Sequence, residues 1–306
     1  MNTTGRLSAY AIGLILIFGV AAGAGRVIGP DQTPTPASPH GAAHASPDAA
    51  APERVPGGLQ IAQDGYRLSP VTTRLSTGAA QRFAFRVLGP DGEPVTEYTE
   101  NHDKDLHLIL VRRDMSGYRH VHPTISGDGT WEIPLRVDTP GQYRVLADFQ
   151  PAAAASSLTL GVDVPAPGDY QPVTLPPAAT TAEVDGYTVA LGGDLESGAL
   201  GFTVSRDGKP VTDLEPYLGA LGHLVVLREG DLAYLHVHPT SETALAFAAE
   251  VPSAGVYRLH LDFQHGGTVR TAEFTATTAG VTQPPAPTGP APGASASHGA
   301  DGHTHD

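Results

Sequence analysis

Residues 107–124 read HLILVRRDMSGYRHVHPT, and residues 223–240 read HLVVLREGDLAYLHVHPT. Nine of these 18 positions are identical without a gap. The agreement continues on both sides. Upstream, Asp91-Gly92-Glu93-Pro94-Val95-Thr96 returns as Asp207-Gly208-Lys209-Pro210-Val211-Thr212, and in both copies the first histidine follows the proline at a step of 13 positions. Downstream, Tyr143-Arg144-Val145-Leu146-Ala147-Asp148-Phe149-Gln150 returns as Tyr257-Arg258-Leu259-His260-Leu261-Asp262-Phe263-Gln264. One module of about 100 residues is therefore present twice, a period too long for a solenoid.

Inside the module the hydrophobic period is two. Phe83, Phe85 and Val87 alternate with Arg82, Ala84 and Arg86, and Leu158, Leu160, Val162 and Val164 alternate with Thr159, Gly161 and Asp163. Such alternation marks half-buried strands. Strands are expected near 66–71, 81–88, 95–98, 106–112, 118–122, 131–137, 143–149 and 158–164, with Asp-Gly, Pro-Gly and glycine-rich turns between them. The expected fold is all-β: two tandem immunoglobulin-like antiparallel β-sandwiches, at 56–165 and 180–278, joined by a linker at 166–179.

The repeated pattern His-x12-His-x-His-Pro supplies the candidate site residues: His107, His120 and His122 in the first copy, His223, His236 and His238 in the second. Strand residues two apart share a face. A hairpin turning at Gly230-Asp231 pairs positions that sum to 461, which sets His223 opposite His238 with Cβ atoms about 5 Å apart. In the first copy a bulge at Gly117 shifts the register slightly and still leaves His107 close. Each module is thus expected to gather its own three imidazoles. Asp148 and Asp262 recur on a later strand, as a fourth ligand or as the acceptor that fixes a ring tautomer. The competing reading is structural, with hydrogen-bonded histidines on an apolar face beside Ile109, Val111 and Tyr118. His260 and His265 occur only in the second copy and favour that module as the richer site.

Composition limits the chemistry. No cysteine is present, which removes disulfides, thiolate metal sites and cysteine nucleophiles. Apart from Met1 the only methionine is Met115, so a thioether site for Cu(I) is excluded. Clustered imidazoles instead suit Cu(II) or Zn(II). The net charge of −14, without a basic stretch, excludes nucleic acid as a partner. The chain also lacks a nucleophile elbow, a His-Glu-x-x-His helix, a phosphate loop and a dinucleotide fingerprint, so an enzyme is not expected.

Residues 7–25 carry no charge and lie between Arg6 and Arg26. As a helix this run is long enough to span a bilayer, so 1–26 is read as a signal anchor, the alternative being a signal peptide cut near Ala22-Gly23-Ala24. The membrane is then a partner through this segment, and the rest lies outside the cytoplasm. Residues 27–55 carry six prolines among small residues and read as a disordered tether. Residues 279–306 read as a disordered tail holding His298, His303 and His305.

At the paired His-x-His-Pro blocks the chain resembles membrane-anchored or secreted actinobacterial proteins that carry tandem modules of this kind, some labelled heavy-metal-binding. The Asp-Gly-x-Pro-Val block is similar to the opening of YtkA-like and CopC-like sandwich domains. The first resemblance implies an envelope protein that handles a divalent metal, and the second implies copper. CopC-like proteins also place a ligand at the mature N-terminus, and no histidine stands near 24–27 to fill that role. Two functions follow: a membrane-tethered metal binder, or a non-catalytic interaction or spacer module of the cell envelope with structural histidines.

Overall fold

The computed structural model describes residues 55–279; the anchor segment, the tether and the tail, with their histidines, lie outside the described residues. Eighteen strands and no helix occur among the described residues, so no helix there is long and apolar enough to cross a membrane. The first copy contains β1 (Ala62–Gln63), β2 (Tyr66–Pro70), β3 (Gln81–Leu88), β4 (Leu106–Arg112), β5 (Arg119–Val121), β6 (Thr124–Ile125), β7 (Thr130–Leu135), β8 (Gly141–Phe149) and β9 (Leu158–Ala166). The second contains β10 (Thr181–Val184), β11 (Tyr187–Asp194), β12 (Ala199–Arg206), β13 (Lys209–Pro210), β14 (Gly222–Arg228), β15 (Val237–Pro239), β16 (Leu245–Ala249), β17 (Gly255–His265) and β18 (Thr268–Thr278).

Pairing is antiparallel throughout the named strands. In the first module one sheet runs β1-β2-β3-β7-β6 and the other β5-β4-β8-β9. In the second the orders are β10-β11-β12-β16-β15, with β13 beside β12, and β14-β17-β18. The runs β2-β3-β7-β6 and β4-β8-β9 reproduce the two sheets of an immunoglobulin domain, and the second module repeats them as β11-β12-β16-β15 and β14-β17-β18. Without a disulfide, each module closes its corner with a tyrosine. Tyr143 Oη donates to the Thr139 carbonyl at 2.8 Å, and Tyr257 Oη donates to the Ser253 carbonyl at 2.7 Å. Residues 95–98, expected as a strand, form only isolated bridges at Pro94 and Tyr98, because Tyr98 turns inward to accept a hydrogen bond from Trp131 Nε1.

β4 and β14 explain how the modules meet. Leu106, Leu108 and Leu110 enter the core of the first module, and Leu224 and Val226 that of the second. A sheet with one wet face would alternate, yet β4 is buried along its whole length and β14 along all but its last residue. Both faces are covered, which is why these runs are apolar at nearly every position. The outward residues Ile109, Val111, Leu146, Val225, Leu227 and Leu232 form a third apolar cluster together with Met115 and Tyr118, drawn from both modules.

The segment 57–60 stitches the same interface. Tyr234 N donates to the Gly57 carbonyl at 2.9 Å, Gly58 N to Thr159 O at 2.7 Å and Gly161 N to Gln60 O at 2.8 Å. Gly161 has to be glycine here, since a Cβ would lie 2.0 Å from the Gly58 carbonyl oxygen. On the other side, Leu175 from the expected linker packs against the shared cluster and Val173 N donates to Asp114.

Candidate metal centre between the modules

In β4 and β5 the register pairs Ile109 with His120 and Leu108 with Val121. Continued by one residue it sets His107 beside His122, and period two places His107, His120 and His122 on the outward face of the first module. That face meets β14, whose outward residues begin with His223. The rings of His107 and His223 lie parallel, at 7° with centroids 5.1 Å apart, and His120 stacks 4.7 Å from His223. One ring nitrogen from each of His107, His120 and His223 lies within 4.8 Å of the other two.

The hydrogen bonds fix the tautomers. His107 Nε2 is 2.9 Å from the Asn101 carbonyl oxygen, which can only accept, so Nε2 carries the proton and Nδ1 presents a lone pair. His120 Nδ1 donates to Asp262 Oδ2 at 2.7 Å, which leaves Nε2 with its lone pair. These two nitrogens face each other at 3.1 Å, and His122 Nε2 stands 3.2 Å from the same His107 Nδ1. His223 Nε2 is buried without a hydrogen-bond partner. Between His107 Nδ1 and His120 Nε2 lone pair then faces lone pair, and a cation held between them relieves that.

A proton is the poorer cation. Burial, reinforced by His120, pushes His107 down to about 4; burial, reinforced by His120 and His107, pushes His122 down to about 3. Burial and then its imidazole neighbours hold His223 well below the ordinary histidine value. The separations of His107 from His120 and from His122 fit a divalent metal. Nitrogens 3.1–3.2 Å apart, on bonds of about 2.0–2.1 Å, subtend an angle of roughly 100°, close to tetrahedral.

The second set of three does not assemble. The 461 register does run through Leu227–Tyr234 and the hydrogen bond from Leu235 N to Val226 O. At His236 the chain then leaves β14 for the opposite sheet, where β15 pairs Val237 with Ala249 and His238 with Ala248. The first module makes the same crossing only after Pro123, as β6 joins β7. His236 and His238 are therefore exposed, with ring centroids 5.6 Å apart, and His223 turns to the first module's histidines. The first copy, not the second, supplies most of the cluster.

The two aspartates also work across the interface. Asp262, which accepts from Thr271 Oγ1 at 2.5 Å, holds His120 of the other module and not a histidine of its own. Asp148 accepts from Thr159 Oγ1 at 3.0 Å and from the Tyr234 hydroxyl, with its carboxyl held above the usual range by desolvation. His265 is occupied elsewhere, by the Tyr187 hydroxyl at 2.7 Å and by Asp213. His260 lies flat on Tyr118, centroids 3.7 Å apart, inside the interface.

One contributor was not marked by its spacing. Asn101 presents a backbone carbonyl, which no side-chain pattern reveals. His102 stands outside that group of three, with its ring 5.5 Å from His223 and 6.1 Å from His107.

A family described as "Domain of unknown function (DUF8832)" matches residues 61–171 and 182–280, more than half of the chain. The chain belongs to this family. Both matched stretches of DUF8832 contribute to the cluster, His107, His120 and His122 from one and His223 from the other. No curated protein matches the DUF8832 chain. Among solved structures it is similar to the Escherichia coli adhesin FdeC, at 16% identity and TM-score 0.24, covering 71% of this chain and 64% of that one. Invasin, a bacterial integrin-binding protein, matches at 14% identity and TM-score 0.22, covering 71% and 40%. A putative membrane anchored protein from Corynebacterium diphtheriae matches at 10% identity and TM-score 0.22, covering 73% and 61%. The chain spans less than two thirds of the length of each of these three. At such scores they say nothing of what it binds.

Proposed function

We propose that this chain is a non-catalytic, extracytoplasmic binding protein that holds one Cu(II) or Zn(II) ion between its two modules. His107, His120 and His223 are the ligands, His122 stands ready as the fourth, and Asp262 and Asn101 orient the rings. The observation that carries the reading is the pair of unprotonated nitrogens, His107 Nδ1 and His120 Nε2, facing each other at 3.1 Å while their other nitrogens are committed to acceptors. All-imidazole donors favour these ions over Cu(I), and Met115 is packed in the apolar interface away from the site. The position outside the cytoplasm rests on the charge-free segment and the proline-rich tether of the sequence.

Titration calorimetry of the full chain with Zn(II) and with Cu(II) tests it. Wild type is expected to show a saturable tight phase that His107→Ala lacks, above any weak binding by the tail histidines that both share. Identical isotherms for the two proteins would refute the proposal.

The spacer reading draws on a different observation, the apolar interface itself, in which His260 stacks on Tyr118. It predicts that His120→Ala lowers the melting temperature in chelator and that added metal leaves wild type unchanged. A rise of wild-type melting temperature on adding Zn(II) goes against it.

A further inference from the structure

The proposed ligands are buried, His107 at 1% and His223 at 8% exposure, with the His120 side chain at 1%. An ion therefore needs a way in. An open cleft of about 1040 Å³ adjoins the site, and of those three ligands only His223 lines its wall. His102, His236 and His238 line the same cleft, with Asp148 and Glu250 among its other walls. His102 bridges the two regions, with its ring 5.5 Å from His223 and 6.1 Å from His107. His102 and Asp103 both have left-handed backbone, at φ of 51° and 60°. They are the central residues of the tight turn closed by Asn101 and Lys104, which calls for that conformation at both positions.

We infer that His236, His238 and His102 form a separate loading station for a divalent transition-metal ion, which passes from the mouth of the cleft over His102 to His223 and the buried site. This rests on the metal reading above and adds a role for the histidines that the buried site leaves out. Imidazoles suit a transient station because borderline metals exchange between them without redox change or covalent chemistry. Once docked in the cleft, an ion faces the buried site at an effective concentration in the millimolar range, far above a micromolar free level. The second His-Val-His-Pro-Thr block would then differ from the first because its earlier crossing between sheets carries it to the cleft mouth.

Stopped-flow transfer of Zn(II) from a chromophoric chelator to the full chain separates loading from holding. In the triple variant H102A/H236A/H238A the rate is expected to fall about tenfold or more, because the docked effective concentration is lost. Its equilibrium affinity, from competition with the same chelator, should stay within about threefold of wild type. His107→Ala should instead abolish tight binding. A triple variant that loads at the wild-type rate, or that loses affinity as fully as His107→Ala, overturns the loading station while leaving the buried site standing. If wild type takes neither Zn(II) nor, in the same assay, Cu(II) from the chelator, both proposals fall. Circular dichroism of the triple variant confirms its fold, and H236A/H238A, whose positions are exposed, repeats the rate measurement if His102 proves structurally necessary.

Discussion

The Asp262 carboxylate has two duties, accepting from Thr271 Oγ1 and from His120 Nδ1. Replacing it with asparagine keeps the shape but removes the charge that commits the His120 proton to Nδ1. Removal of such an orienting partner typically weakens metal binding about 10–100-fold. Asp262→Asn is therefore expected to weaken Zn(II) binding by that factor in chelator competition, with His107→Ala abolishing it. An affinity unchanged in Asp262→Asn would mean that His120 is oriented by other means. Acid has a defined direction as well. In the unfolded chain histidine protonates near 6.5, whereas the folded chain keeps His107 neutral to about 4 and His122 to about 3. Between those limits the unfolded state binds more protons, so stability present above about 6.5 is lost as the pH falls toward 4. Urea midpoints in chelator should drop steadily across that window. Midpoints constant from pH 7 to 4.5 would show that these imidazoles are not buried neutral. For the same reason metal binding should persist below the pH at which free imidazole is half protonated.

At the level of strands, the alternation of Phe83, Phe85 and Val87 and the duplicated block made the sandwiches and the closeness of His107, His120 and His122 legible. The strand expected at 95–98 was not realised, since an inward Tyr98 satisfies Trp131 better than a ladder would. The crossing at His236 was hidden for a related reason: identical His-Val-His-Pro-Thr blocks leave their sheets at different residues because pairing with β16 in one module and β7 in the other decides the point of departure. Cross-module partners such as His223 and Asp262 were not visible from spacing within a module. The unbroken apolar runs of β4 and β14 did carry the clue that both faces are covered. Two substitutions test that packing. Leu227→Ala empties part of the shared apolar cluster and should cost about 2–5 kcal/mol in equilibrium unfolding. Gly161→Ala drives a methyl into the Gly58 carbonyl and should cost about 1–3 kcal/mol, whereas the same change at Gly127, where the space is open, adds no such clash. If Leu227→Ala is as stable as wild type, the modules do not rely on this face.

For the molecule as a whole, duplication has produced a shared centre in place of two equal ones. Related faces meet, His107 stacks on His223, and one Asp–His pair forms across the interface while its counterpart is replaced by Tyr234 on Asp148. The ion would then hold the modules together as well as reside in them. The most direct test of a shared centre is the stoichiometry of tight Zn(II) binding to the full chain, measured for wild type, His120→Ala in the first module and His223→Ala in the second. The account predicts one tight ion per chain for wild type and none for either variant. Two tight ions in wild type, with each variant losing only one, would contradict it.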